Sequence, residues 1–272
     1  MITRHTALCG VVLHPASHTR SPAMHNSAYA ALGVDAVYYA FDVGPEQLAA
    51  AVAGWRALLG LQLSVSLPHK TAILEHLDEV DETARRIGAV NTVLRRDDAL
   101  VGTNTDWIGA VRALERETSL AGMRAVVLGA GGTARAVVFG LLERGARVAV
   151  LNRTPQKARA LADELGAHEA GSLADLRRMP HEILVNATRV GLREDVSPVE
   201  ATDIARGAVV LDAVYEPPET RLLRDALGRG ARIVPGKWML VHQAAAQLEA
   251  WTRQRAPLEV MADAFDAAGA DA

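Results

Sequence analysis

The chain has 272 residues, half of them apolar, which suffices for one large core or two smaller ones, and usual domain sizes favour two. Its 29 basic and 32 acidic residues leave no cationic footprint for nucleic acid or an anionic membrane, so an anionic ligand must be held locally. No apolar run approaches the ~18 residues of a membrane span, and the start "MITRHTALCG" carries no leader-like segment, so the expectation is a soluble cytoplasmic protein.

In chain order, "TALCGVVL", Pro22 to Leu32, "AVYYAFDV", Pro45 to Leu59 and "LQLSVSL" alternate between strand-like and helix-like patterns, an α/β layer. Cys9, the only cysteine, lies in the first of these runs as a small hydrophobe, and no internal disulfide can form. The polar connection "RRDDALVG" joins two further β-type runs, and "DWIGAVRALERE" opens a linking helix just after the capping candidate Thr105. A second alternating series follows: "RAVVLGAGG", a helix through Leu142, "ARVAVLN", a helix from Pro155 to Leu165, "EILVNAT" and "GAVVLDAVY". After "ARIVP", helices are expected over Lys237–Thr252 and Leu258–Ala267, packing back on the first lobe and leaving a cleft between the lobes. The final "GADA" reads as a frayed end.

The stretch "VVLGAGGTARA" places Gly129, Gly131 and Ala134 at the spacing of a dinucleotide-binding turn, after a strand and before a helix. Gly129 allows the tight turn, Gly131 lets backbone approach a pyrophosphate, and Ala134 lets helix and strand pack closely. The next strand ends at Asn152, where NAD-binding chains place a carboxylate for the ribose 2′-hydroxyl. Here Arg153 follows, with Thr154 and Lys157 close behind. A guanidinium suits a 2′-phosphate, so the expected cofactor is NADP. The plainer reading, a solvated helix start, places cations against the helix dipole.

Polar groups beside apolar structure supply candidates for a second half-site. "HTRSPAMHN" offers the hydroxyls of Thr19 and Ser21, which are also ordinary capping residues. "SVSLPHK" sets Ser64 and Ser66 on one strand face, followed by Lys70, a residue type usually found at the surface. "GAVNT" and "GTNTDW" bring Asn91 and Asp106, the latter also explicable as an acid favouring a helix N-terminus. His14, His18 and His25 lack a cysteine or carboxylate to complete a ligand set, so no metal is expected, and His69 receives no role.

Taken in order from Cys9 to Trp251, "HTRSPAMHN", "VSLPHK", "GAVNT", "NTDWIG", "GAGGTARA", "NRT", "NATRVG", "DAVYEPPETRLL" and "GKWMLVHQAA" resemble the shikimate dehydrogenase family. The resemblance implies a two-lobed α/β enzyme that reversibly reduces the ring ketone of 3-dehydroshikimate with NADPH. Its substrate-binding domain would span 1–104 with 238–272, and its Rossmann-type NADP-binding domain 105–237. Lys70 and Asp106 match the family's catalytic pair, which also contacts substrate. Thr19, Ser21, Ser66, Asn91, Tyr215 and Gln243 match substrate-holding positions. Gly129, Ala130, Gly131, Gly132, Thr133, Asn152, Arg153, Thr154, Lys157, Thr188, Val214, Gly236 and Met239 match cofactor-lining positions, and Glu82 an acid near the cleft. The chemistry fits these types: hydride delivery to a carbonyl develops alkoxide character and needs a proton donor within hydrogen-bond reach. Lys70 can supply one, with Asp106 holding the ammonium in place, and the sequence leaves open which of the two moves the proton.

Some positions depart from the family pattern. Thr19 stands where serine is common, Ser64 and Ser66 where asparagine and threonine are usual, and Glu216 and Lys237 where uncharged residues are more frequent. One methyl in a pocket discriminates by only about 1–3 kcal/mol, so a quinate or quinate/shikimate dehydrogenase is the nearest alternative. A non-catalytic NADP-binding regulator is a further one, against which Lys70 and Asp106 together speak. Nothing in the sequence encodes an oligomeric state, and a homodimer stays open.

Overall fold

The computed structural model describes residues 2–17 and 19–270; His18 and the last two residues of the expected frayed end lie outside the described residues. The chain forms two compact units, Met1–Thr105 with Gln243–Ala272, and Asp106–His242.

The first unit is a six-stranded mixed sheet with helices. It contains β1 (Ala7–Leu13), α1 (Ser21–Leu32), β2 (Ala36–Asp42), α2 (Leu48–Ala57), β3 (Gln62–Val65), β4 (Glu79–Val80), α3 (Glu82–Ile87), β5 (Thr92–Arg96) and β6 (Ala99–Thr103). The strand order is β2-β1-β3-β5-β6-β4. β1 lies parallel between β2 and β3, and its last five residues are buried, as suits an apolar run covered on both faces. The expected polar connection is a two-residue hairpin turn at Asp97 and Asp98; Asp97 adopts φ +54°, and β5 and β6 run antiparallel from it. Gly33, at φ +66°, closes α1 by donating its N–H to the carbonyls of Ala30 and Tyr29.

The second unit carries α4 (Asp106–Glu115), β7 (Arg124–Leu128), α5 (Gly132–Glu143), β8 (Arg147–Leu151), α6 (Pro155–Leu165), β9 (Glu169–Gly171), β10 (Ile183–Asn186), β11 (Val209–Asp212), α7 (Arg221–Gly228) and β12 (Arg232–Val234). All its paired strands are parallel, in the order β12-β11-β10-β7-β8-β9. This is the doubly wound dinucleotide-binding topology, whose strand order reverses between β7 and β10. Separate apolar clusters form around Val127, Val137 and Leu211 and around Leu128, Leu184 and Leu222, so the strands carry continuous apolar runs.

The chain ends with α8 (Gly236–Thr252) and α9 (Leu258–Ala270). The division between units falls inside α8, between His242 and Gln243. As expected, the tail packs on the first unit. Buried Arg20, preceding α1, donates to the Phe265 carbonyl at 3.3 Å and lies over its ring, 4.4 Å from the centroid. Among the described residues, no helix is long and apolar enough to cross a membrane.

Candidate active site

The glycine turn follows β7, at the carboxyl edge where the strand order reverses. Gly129 has φ +117°, and a Cβ there would lie 3.1 Å from the Ala187 carbonyl oxygen and 3.2 Å from Thr188 Cγ2. The turn is therefore packed against the "NAT" loop, and backbone geometry and neighbours both require glycine. Ala130 is half-buried, and Gly131 is the extended N-cap of α5 without a side-chain cap. A Cβ on Gly131 would meet nothing within 4 Å, so open space lies at the N-cap of a helix whose first turn holds Gly132 and Thr133. Buried Ala134 sits at the close helix–strand contact.

Two further loops are locked to this turn. Asn186, at the end of β10, accepts from Thr188 N (3.0 Å) and Thr188 Oγ1 (2.7 Å) and donates to the Val190 carbonyl (3.1 Å) and Asp212 Oδ1 (2.9 Å). Asp212, at the end of β11, also accepts from Val214 N (3.0 Å) and, through Oδ2, from Thr220 Oγ1 (2.6 Å). The loop carrying Val214 and Tyr215 is thus tied at both ends to one carboxylate. Burial pushes the Asp212 carboxyl up to about 6 despite its three donors. Gly236 opens α8 against the same loop: a Cβ there would stand 2.6 Å from the Asp212 and Val214 carbonyl oxygens. The Met239 side chain is buried in the adjoining apolar cluster.

The residues after β8 form the other rim. Asn152 Nδ2 donates to the Thr154 carbonyl at 3.1 Å, and Thr154 is the N-cap of α6 without a side-chain cap bond. Arg153 and Lys157 are exposed, and neither side chain has a hydrogen bond or ion pair among the described residues. Two uncommitted cationic side chains at a helix start, with open space at the N-cap of α5, fit a dinucleotide bearing a 2′-phosphate.

In the first unit, Thr19 Oγ1 accepts from Ser21 N at 3.4 Å, while the N-cap of α1 is Arg20, which makes no side-chain cap. The Thr19 hydroxyl thus takes one N–H of the helix start, whereas Ser21 Oγ and Ser66 Oγ take no hydrogen bond from the described residues. Ser64 differs from Ser66. Its Oγ accepts from Tyr38 Oη (2.6 Å) and Gln62 Nε2 (3.0 Å) and donates to Gln247 Oε1 (2.9 Å), which saturates it. Lys70 is half-buried, in the turn after β3. Asn91 Nδ2 donates to Gln243 Oε1 at 3.1 Å, joining two of the expected substrate ligands. His69 is buried with Nε2 on the Val43 carbonyl at 2.8 Å, a structural role.

Asp106 and Tyr215 belong to the second unit: Asp106 is buried at the first residue of α4, and Tyr215 is half-buried. Glu82 is exposed at the first residue of α3, in the other unit from the remaining cofactor candidates. Thr105 spends its hydroxyl on Asn91 and the Gln243 carbonyl. Sequence reasoning gave no role to Asn186, Asp212 and Thr220, although polar residues closing apolar strands inside "NATRVG" and "DAVYEPPET" were the available signal. His14 pairs with Asp42 at 2.7 Å, whereas His25 is buried and stacked on Tyr38 at 4.1 Å, so the two serve separate packing roles.

Comparison with known proteins identifies the family. The family model for the shikimate dehydrogenase substrate binding domain matches residues 11–93, that for shikimate / quinate 5-dehydrogenase residues 112–191, and that for the shikimate 5'-dehydrogenase C-terminal domain residues 236–264. The NADP(+) shikimate dehydrogenase of Thermococcus kodakarensis is 44% identical over 258 residues, 93% of each chain. The Thermus thermophilus shikimate 5-dehydrogenase, solved with NADP(H) and shikimate, superposes with TM-score 0.91 at 41% identity, covering 96% of this chain and 99% of that one. The ligand-free 5-ketofructose reductase of Gluconobacter sp. strain CHM43 superposes with TM-score 0.88 at 35% identity, covering 98% of this chain and all of the other. The chain belongs to the shikimate dehydrogenase family.

Proposed function

We propose that the chain is an NADP-dependent shikimate dehydrogenase, an oxidoreductase that reversibly reduces 3-dehydroshikimate to shikimate in aromatic amino-acid biosynthesis. The observation that carries the cofactor is the open space beside Gly131 at the N-cap of α5, together with the uncommitted Arg153 side chain. Gly129 to Thr133 and Thr188 line the pyrophosphate side, while Asn152, Arg153, Thr154 and Lys157 take the 2′-phosphate side. Val214, Gly236 and Met239 line the nicotinamide side, with Glu82 an outlying acid. The bound cofactor supplies hydride to the ring ketone.

Lys70 and Asp106 act on the developing alkoxide: the ammonium donates the proton, and the carboxylate orients it and accepts from a neighbouring substrate hydroxyl. Thr19 and Ser21 hold the substrate carboxylate with their hydroxyls. Ser66, Asn91, Tyr215 and Gln243 hold the ring hydroxyls. The substrate domain corresponds to Met1–Thr105 with Gln243–Ala272 and the cofactor domain to Asp106–His242, in the cytoplasm. Size-exclusion chromatography with light scattering decides the homodimer that the sequence leaves open.

The test is NADPH formation by absorbance with shikimate, quinate and a reducing-sugar ketose alcohol as substrates, and NADP and NAD as cofactors, with Lys70→Ala as control. The highest kcat/KM is expected for shikimate with NADP. A higher value for quinate would move the chain to the quinate branch of the same matched model, and one for the sugar alcohol towards the reductase-like relative.

A further inference from the structure

Gln243 and Gln247 are four residues apart on α8 and share a helix face. Gln243 is an expected substrate ligand, whereas Gln247 is 1% exposed and Thr92 fully buried, so neither of the latter is in reach of a ligand. A continuous chain of hydrogen bonds nevertheless connects them. Gln247 Nε2 donates to the Asn91 carbonyl (3.1 Å) and to Thr92 Oγ1 (2.9 Å), and Thr92 Oγ1 donates to Asn91 Oδ1 (2.8 Å). Asn91 Nδ2 then donates to Thr105 Oγ1 (3.0 Å) and Gln243 Oε1 (3.1 Å).

Two backbone groups remove any ambiguity in the direction of this chain. A peptide carbonyl only accepts, so the Asn91 carbonyl fixes the Gln247 amide with Nε2 towards Thr92 and leaves Oε1 to accept from Ser64 Oγ (2.9 Å). A peptide N–H only donates, so Thr105 N, 2.7 Å from Asn91 Oδ1, fixes the Asn91 amide. Thr92 stands between these two fixed amides. Having accepted from Gln247, its hydroxyl must donate, and its near partner is Asn91 Oδ1, against 3.4 Å to Thr105 Oγ1.

We propose that Thr92, backed by Gln247 and Ser64, is a positioning residue that holds the Asn91 side-chain oxygen in place, keeps Asn91 Nδ2 on Gln243 Oε1, and so governs affinity for a polyhydroxylated substrate. This rests on the substrate-binding role given above to Asn91 and Gln243. The cofactor loops lie on other elements, so the effect is confined to the substrate.

The experiment compares Thr92→Val, nearly isosteric but without the hydroxyl, with Thr92→Ser, which keeps it. Steady-state kinetics are run in shikimate and in NADP, after the thermal midpoint confirms folding. Thr92→Val is expected to raise the shikimate KM about tenfold, the order of effect of one lost buried hydrogen bond, with the NADP KM unchanged. Thr92→Ser is expected to stay within about twofold of the wild type. A wild-type shikimate KM in folded Thr92→Val, or an equal rise in both KM values, would overturn the proposal. Should Thr92→Val not fold, Ser64→Ala cuts the same chain one step back, and an unchanged substrate KM there overturns it equally. Wild-type turnover reads the proposed reaction separately: if another polyol is preferred, the same KM comparison is made with that polyol.

Discussion

Replacing Asp212 by Asn leaves the shape of the loop lock intact and removes only the charge. The amide oxygen still accepts from Asn186 Nδ2 and Val214 N, and the amide nitrogen faces Thr220 Oγ1, which is able to accept. The wild-type carboxyl, fully buried, is raised from an ordinary 3.8 to about 6. A rise of about two pH units at 1.36 kcal/mol each makes about 3 kcal/mol of linkage. Its sign follows from proton uptake. Between 3.8 and about 6 the folded protein holds a proton that the unfolded chain has released, so the contribution is complete below 3.8 and lost as pH rises through 6. Asn does not titrate. The stability of the wild type minus that of Asp212→Asn should therefore fall by about 2 kcal/mol between roughly pH 4.5 and 7.5, any constant offset cancelling in the difference. Urea unfolding followed by tryptophan fluorescence at a series of pH values measures it. Parallel curves for the two proteins would refute the reasoning, because they would mean that the carboxyl is not desolvated.

Arg153→Asp should weaken NADP by about a hundredfold or more while leaving NAD within a few-fold, read from kcat/KM with each cofactor; an unchanged ratio would remove Arg153 from the 2′-phosphate site. Gly129→Ala and Gly131→Ala should separate stability from binding: the first costs about 1–3 kcal/mol through its positive φ and the 3.1 Å approach to Ala187, measured by urea unfolding. The second should fold within about 0.5 kcal/mol of the wild type yet bind NADP about tenfold less tightly by calorimetry. Ser66→Thr, adding one methyl at an uncommitted hydroxyl, should change the shikimate-to-quinate ratio of kcat/KM by up to about tenfold, whereas Ser64→Thr should act through folding stability because Ser64 is saturated by protein partners.

The cofactor unit was largely legible from sequence because parallel strands covered on both faces need continuous apolar runs, and the turn chemistry of Gly129 and Gly131 is local. What escaped was short or polar. β4 has two residues, β9 is "EAG", and α3, "ETARRI", buries only Ala84 and Ile87, too little for a periodic signal. In the site, the residue types of "VSLPHK" and "GAVNT" pointed to ligands, but the contrast between Ser64 and Ser66 did not appear. Strand alternation gives both the same face, and only Tyr38 and Gln247, distant in sequence, decide which hydroxyl is consumed. The locks at Asn186 and Asp212 escaped for the same reason, since each depends on a partner some twenty-six residues away.

Three glycines of the candidate cofactor site, Gly129, Gly131 and Gly236, answer to different constraints. Gly129 and Gly236 are enforced from within, by carbonyl oxygens of the protein's own loops, and would be retained in a descendant that no longer used a nucleotide. Gly131 faces open space and has a backbone conformation that any residue adopts, so the fold exerts no selection on it. Mutational drift would erase Gly131 first once ligand binding ceased to matter. Where architecture holds Gly129, use alone accounts for Gly131.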